Sequence, residues 1–509
     1  MSLDLALSIA RSGLSHVQRQ IGTAAGNVAN AGTTGYTRKV VDGAASDGGG
    51  LAFGVRSLEA RRDVDAAMTA ALNAARATGA AAEARAALLR DVELAHGRPE
   101  AGESVGDLAN ALRDTLLSAR EEPADGLRQS AVVDAADEVA QRLNTVSAAI
   151  GGARQSAQDG LVEGVAALNA GLRRVAELNE RIRPLKASGQ STAALEDQRD
   201  LAVAGLSDLM ELRVIPQADG SVGLLGRGGI ALTLDTKGDV FSIASATAGP
   251  SAYHGGAGTL PGVMIGTTDV TGALGNGRLG ALVEMRDRTL PLMQAELDVA
   301  AANLASRFDA QGLRLFTGSA GTVPDPTTPY AGGGWIDFAT AIRVNPAVRA
   351  DPRLVRDGTH AVSATPGGPT AFAPNPSGGP AAFTTALDRA LNHALGAQGA
   401  PGSTQPPFAT TGLGPAGNLS SPIGSGGGLA AFAASLVARQ TGMRAAAEEG
   451  GEAAKALRTT LEERVAKHSG VDMDQEMAGM VSLQNAYAAN ARILSTVQAM
   501  YDALLGAVR

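Results

Sequence analysis

The two ends of this chain carry the same kind of seam. From Leu3, an apolar or alanine position recurs at alternating steps of four and three: Leu3, Leu7, Ala10, Leu14, Val17, Ile21, Ala24, Val28. The C-terminus repeats the pattern through Met480, Leu483, Tyr487, Asn490, Leu494, Val497, Tyr501, Leu504 and Val508. Such a repeat predicts helices that pack lengthwise on other helices. Two seams at opposite ends of 509 residues imply that the termini pair and the middle is a long insertion.

Composition supports a helical body. Aromatics are 3%, so the cores are built from Ala, Leu and Val, with 65 glycines in the joints. A net charge of −8 with scattered basic residues opposes a nucleic-acid footprint. The chain has no cysteine, which excludes disulfides and thiolate metal sites. No secretory signal is legible at the start, and no run reaches the length of a membrane span.

In order, the first helix is expected to stop near Asn30, with Gly32 and Gly35 breaking it before an extended piece, Thr37 to Val41. Gly48 to Gly50 reads as a flexible joint. Helices are predicted over 64–94, 104–120 and 126–182. The last has weak points at Gly151 and Gly152 and ends at Pro184; its Leu161, Val165, Leu168, Leu172, Val175, Asn179 and Ile182 follow a heptad. After a helix over 192–210 the period changes to two. Strands flank Asp219-Gly220, a hairpin dipeptide, and two more follow before Ile243. A helix kinked at Pro291 is expected over 280–311. Residues 360–427, crowded with Pro and Gly, read as an irregular surface segment with a helix only near Ala386 to Leu395. Another helix, interrupted at Gly450-Gly451, precedes the last, which Asp472 and Gln475 start.

The fold class is therefore mainly α: terminal helices paired as a coiled-coil-like core, and a long-helix bundle with a small β-element. The expected division is 1–45 with 470–509, then 46–359 with 428–469, with the β-element near 211–245 and 360–427 as a separate segment.

No catalytic, cofactor or metal site emerges. Gly275 to Gly280 matches G-x-G-x-x-G before a helix, but lacks the βαβ return and acidic partner of a dinucleotide fold. Asp197 and Asp200 share one helix face, yet Arg199 beside them favours a structural ion pair over acid–base work. The six histidines have no metal-ligand spacing. Asn490 in the seam, with Asn27 and Asn30 closing the first helix, is the type of polar residue that selects register and partner. Thin, alanine-rich seams bury little area, so these helices are expected to order only when packed in an assembly.

Several stretches resemble a known family. Ser12-Gly13-Leu14, Asn27-Val28-Ala29-Asn30 and Thr33 to Arg38, which includes Gly35 and Tyr36, resemble the N-terminal motif of flagellar rod, hook and hook-associated proteins. Arg62-Asp63 after Gly54-Val55, Val175 to Ile182, Leu195-Glu196-Asp197-Gln198-Arg199-Asp200, Gln217 to Val222, and Ser469-Gly470-Val471-Asp472-Met473-Asp474-Gln475-Glu476 resemble the FlgK family, hook-associated protein 1. The outer β-rich domain that many such proteins carry is reduced or absent. The resemblance implies a non-enzymatic structural subunit without a cofactor, exported by the flagellar type III apparatus and assembling as a ring at the hook–filament junction. It implies partners in further copies of the chain, in hook protein and in a second junction protein of the FlgL type. A FlgN-type chaperone would hold the C-terminal region. Within the broad class, hook protein, flagellin or a second junction protein is the alternative; outside it, a nucleotide-binding module at Gly275 to Gly280.

Overall fold

The computed structural model describes residues 3–48, 51–97, 101–325, 327–332, 334–426 and 428–507. Val508 of the terminal seam and Gly49 and Gly50 of the expected joint lie outside them.

Two long helices begin and end the chain: α1 (Leu3–Asn30) and α9 (Met473–Gly506). They pair antiparallel. The Tyr501 hydroxyl donates to Asp4 at one end, and Gly13 faces Asn490 in the middle. After α1 comes a two-stranded ribbon, β1 (Lys39–Gly48) and β2 (Leu51–Arg62), antiparallel and bulged near Asp42. The second strand is not among the expected elements, although Leu51, Phe53 and Val55 alternate with Ala52 and Gly54, because the glycines before it read as a joint. The ribbon lies along α1: Val55 N–H donates to Ser12 Oγ at 3.1 Å, and His16 Nδ1 meets Ser57 Oγ at 2.9 Å. Gly54, at φ +135°, is needed there, since a Cβ would fall 2.1 Å from Ser12 Oγ.

The body is organised on α4 (Gly126–Ala187), surrounded by α2 (Ala66–Ala95), α3 (Val105–Glu121), α5 (Ala193–Leu209), α6 (Arg278–Glu284) and α7 (Leu290–Ala310). The expected heptad of α4 is its buried stripe, from Leu161 to Ile182. Two corrections concern this helix. It continues through Gly151-Gly152, because Ile150, Ala153 and Ala157 on either side are held in the core and packing outweighs glycine's intrinsic cost. It also runs past Pro184, which sits in the last turn, where one missing donor is tolerated.

Two small sheets lean on α4: β3 (Leu212–Pro216), β4 (Val222–Gly226) and β5 (Ala231–Leu232), then β6 (Phe241–Ser242), β7 (Met264–Ile265) and β8 (Thr268–Asp269). Two asparagines of α4 hold them. Asn179 donates to Val222 O (2.9 Å) and accepts from Val222 N–H (3.1 Å). Asn169 does the same for Phe241. An amide in a helical seam thus completes the backbone bonding of a strand.

Between α6 and α7 the chain makes a π-turn, Met285–Thr289, rather than a kink at Pro291, which stands unstrained in the first turn of α7. Helix α8 (Leu429–Ser469) is continuous through Gly450-Gly451, contrary to expectation; a Cβ on Gly451 would lie 3.6 Å from Ala82 Cβ, so the glycine permits close approach of α2.

Residues 360–427 are corrected most. They contribute Phe372, Leu387, Leu391, Phe408 and Leu413 to buried positions, and Phe408 stacks on Phe432 with centroids 4.1 Å apart. Helical turns cover Thr385–Arg389 and Ala390–Ala394. Proline and glycine made the segment look loose, but its spaced aromatic and leucine residues anchor it to the body. Among the described residues no β-rich outer domain is present, and no helix is long and apolar enough to cross a membrane.

Candidate assembly helices and the joint behind them

The helix pair buries few side chains. On α1 these are Ala10, Val17, Ala24 and Asn27, with Leu7, Leu14, Ile21 and Val28 half-buried. On α9 they are Glu476 and Val497, with Leu494 and Tyr501 half-buried. Tyr487 and Leu504, expected in the same seam, face solvent, as do Met477, Val481, Ile493 and Met500. The pair therefore leaves apolar side chains exposed along the length of α9. Asn490 does not bond across the seam; its amide donates to Ala486 O one turn back. Register is set by size, because a Cβ on Gly13 would lie 3.0 Å from Asn490 Oδ1.

Behind the pair, stretches far apart in sequence converge on one joint. Asn27, at the end of α1, accepts from Lys39 N–H (3.0 Å) and Tyr36 hydroxyl (2.9 Å) and donates to Lys39 O (2.9 Å). This fixes the turn after α1. Gly35 at φ +77° completes it, packed so close to Leu201 that a Cβ would be 2.6 Å from that side chain. Asn30 bonds back to Gly26 O at 2.9 Å and closes the helix.

The turn delivers three groups to Asp197 on α5. Thr37 Oγ1 donates at 2.6 Å, Thr37 N–H at 3.3 Å, and Lys39 Nζ forms an ion pair with the same carboxylate. Lys39 also lies 4.0 Å from the centroid of the Tyr36 ring. From the end of β2, Arg62 reaches Asp200 (2.6 Å), Glu196 (2.8 Å) and Asp197 (3.3 Å). Burial lowers the Lys39 pKa, partly offset by Asp197. Burial also works against the Arg62 charge, yet Asp200, Glu196 and Asp197 more than compensate and hold its pKa above the ordinary value. Glu196 loses by burial but is held below the usual carboxylate range by the Thr192 hydroxyl and Arg62. Asp197 and Asp200 are thus engaged by cations, an arrangement suited to fastening rather than proton transfer.

A third stretch joins from the C-terminal side. Arg38 donates to the buried Glu476 at 2.6 Å, and its N–H donates to Ser469 O at 2.8 Å. Gly470 ends α8 where a Cβ would be 2.2 Å from Ala466 O, and Asp472 caps α9 by accepting from Asp474 and Gln475 N–H. Asp474 stands exposed in the first turn of α9, favourable to the helix dipole. Two motif residues lie outside the joint. Gln198 points outward to Arg174, and Arg199 turns inward to bond Gly220 O at 2.8 Å. Lys39 carries no signal in the sequence, since a lysine in a strand looks like ordinary surface charge; Glu476 stands in the family-like run from Ser469, but nothing there tells of its partner Arg38.

The glycine loop Gly275 to Gly280 has a local cause. A Cβ on Gly277 would lie 2.8 Å from Leu209 O, and one on Gly280 1.8 Å from Gly275 O. Two of its N–H groups are taken, Asn276 by Glu211 (3.4 Å) and Gly277 by the Asn276 side chain (3.1 Å). A carboxylate thus stands at the loop, where a nucleotide would place a phosphate.

Known proteins match the same parts. The profile of flagella basal body rod proteins covers residues 7–37, and that of the flagellar basal body rod FlgEFG C-terminal region covers 465–507. Those segments are α1 with its turn, and the end of α8 with α9; they place the chain in the axial class of flagellar proteins. The profile of the FlgK helical domain of flagellar hook-associated protein covers residues 99–322, the centre of the body. Flagellar hook-associated protein 1 of Escherichia coli K12 is 24% identical over 316 residues, 59% of this chain and 56% of that protein. Its Salmonella typhimurium counterpart is 25% identical over 316 residues, 59% of this chain and 55% of that protein. The chain thus spans little more than half the length of these relatives. The flagellar hook junction protein FlgK from Burkholderia pseudomallei is 27% identical, covering 50% of this chain and 45% of that one, with a TM-score of 0.40. Together these matches support the FlgK family of flagellar hook-associated proteins for this chain.

Proposed function

We propose that this protein is a non-enzymatic structural subunit of the junction between flagellar hook and filament. The observation that carries the reading is the joint: Thr37–Lys39, Arg62, Glu196–Asp200 and Glu476 together fasten a thin, outwardly apolar helix pair to a large rigid body. A fastened but under-packed pair suits an element completed by its neighbours. In this reading the terminal unit comprises α1, the β1–β2 ribbon and α9, so it extends to Arg62 rather than stopping at residue 45. The body is the remaining helical mass with 360–427 seated on it. Copies of the chain pack through Tyr487, Ile493, Met500 and Leu504 into a ring, with hook protein on one side and a FlgL-type junction protein on the other. Before assembly the chain passes through the type III apparatus, its C-terminal region held by a FlgN-type chaperone.

Complementation tests this. The full chain should restore filament attachment to a strain lacking its own hook-associated protein, and a version without residues 480–509 should fold in its body yet fail. Normal motility with the truncated chain overturns the proposal.

A further inference from the structure

Away from the terminal helices, a cleft of about 1040 Å³ opens between the turn after β4 at Arg227, the 271–276 loop, the π-turn and α8. It continues into an apolar depression of about 350 Å³ between α2 and α8, whose walls include Ala82, Leu89, Met285 and Ala447. The two share Arg85, Glu284, Thr289 and Met443, so they form one groove.

The larger half is cationic in a chain of net charge −8. Four arginines line it against two glutamates. Arg85 is matched by Glu284 (2.7 Å), and Arg439 by the buried Glu296 (2.6 Å). Arg227 and Arg288 have no acceptor among the described residues. The π-turn explains Arg288: the same turn sends Arg286 wholly inward, onto Gln158 and Pro261 O, and leaves Arg288 outward at the cleft. π-turns within helices concentrate at functional positions. Thr289, Asn418 and Ser420 add side-chain polar groups with no partner among the described residues, and Val283, Leu292 and Met443 add apolar wall.

We infer that this groove docks an acidic, amphipathic peptide segment of a partner protein, its carboxylates on Arg227 and Arg288 and its apolar side chains in the depression between α2 and α8. Guanidinium groups favour planar carboxylates through paired N–H donors. A phosphate ligand fits less well, for two reasons. At the Gly275 loop the Glu211 carboxylate already accepts from Asn276 N–H and repels an anion. The apolar half of the groove would also go unused by a small anion, whereas alternating carboxylates and leucines use both halves.

The test titrates the full chain into a fluorescein-labelled peptide of Glu-Glu-Leu repeats and reads anisotropy, with a Lys-Lys-Leu peptide as control. Saturable binding of the acidic peptide alone is expected, weakening as salt rises. The double substitution Arg227→Glu with Arg288→Glu should reduce affinity by about tenfold or more, the scale of two lost charge-assisted contacts. Arg213→Glu with Arg464→Glu, which changes total charge equally but lies off the groove, should leave affinity within about twofold. Circular dichroism of each variant establishes that it is folded. Equal loss in both double variants, equal binding of the two peptides, or complete displacement by inorganic phosphate at low millimolar concentration would overturn the inference.

Discussion

Lys39 and Asp197 are 158 residues apart in sequence and form an ion pair in which both side chains are more than nine-tenths buried. Arg62 closes on the same carboxylate from the other side. One aspartate thus accepts from the segment that follows α1 and from the strand that returns to the body. The orientation of the terminal unit rests on that acceptor and on Arg38 N–H bonding Ser469 O at the end of α8, while Arg38–Glu476 ties the turn after α1 to α9.

Replacing Asp197 with Ala leaves Lys39 and Arg62 facing each other without that carboxylate. Breaking a buried pair from one side costs on the order of 3–5 kcal/mol. The expected outcome is a lowered thermal midpoint and new proteolytic cleavage between residues 36 and 62, while α4 stays protected. Gln198→Ala, one position along and pointing outward, should stay within about 0.5 kcal/mol of the parent. Equal loss in the two variants would show that the joint is not the fastening element.

Asn179→Ala removes both partners of the Val222 backbone. Each buried group left unpaired costs roughly 1–3 kcal/mol, so β4 should loosen against α4. Amide exchange at Val222 should accelerate strongly, with the α1–α9 pair unchanged. An unaltered Val222 exchange rate would refute this role for the asparagine.

Asp298 supplies a pH dependence. It is fully buried and accepts from Ala339 N–H (2.8 Å), Asp337 N–H (3.0 Å), the Tyr330 hydroxyl (2.8 Å) and Gln294 (3.0 Å). Burial pushes its carboxyl up to about 7 despite these donors. The native state therefore holds this proton more tightly than the unfolded chain does. The group's destabilising effect is full above about pH 7 and is relieved as pH falls toward the unfolded value near 4. Melting followed by fluorescence of Trp335, the single tryptophan, should show higher stability at pH 5 than at pH 8 from this group. Asp298→Asn should flatten that difference; an unchanged pH slope in the variant would contradict the assignment.

The terminal pair should be the least protected part of the free subunit. α9 buries only Glu476 and Val497, and α1 chiefly alanines, so roughly 25 cal/mol per Å² of apolar burial yields little for more than sixty ordered residues. Hydrogen exchange of dilute monomer should be fast over 5–28 and 480–507 and slow along α4. Gly13→Leu, which drives a side chain into Asn490, should leave the body's exchange unchanged and abolish assembly. Strong protection of residues 5–28 in the monomer would count against an assembly role for the pair.

Periodicity made much of this architecture legible. The heptad of α4 is legible because its buried face is continuous, those of α1 and α9 because apolar residues recur along them even where they stay exposed, and Asp219-Gly220 gives the β3–β4 hairpin because its turn chemistry is local. What stayed hidden depends on contacts remote in sequence. The β1–β2 ribbon lies on α1 at Ser12 and His16, contacts that its short Leu51-Phe53-Val55 alternation does not reveal. The 360–427 segment is ordered by Phe408 against Phe432 and by a few leucines, which composition averages away. For the joint, sequence reading selected Asn27, Gly35, Tyr36, Asp197 and Asp200 by resemblance. Lys39, and the pairing of Glu476 with Arg38, become visible only where folding brings these side chains to their partners.

The most direct measurement is where the protein sits in the assembled flagellum. Immunogold labelling of an epitope-tagged full chain, on hook–filament structures isolated from a complemented strain, should place gold in a single narrow band between hook and filament. Label spread along the filament or along the hook, or absent from both, would contradict the junction role.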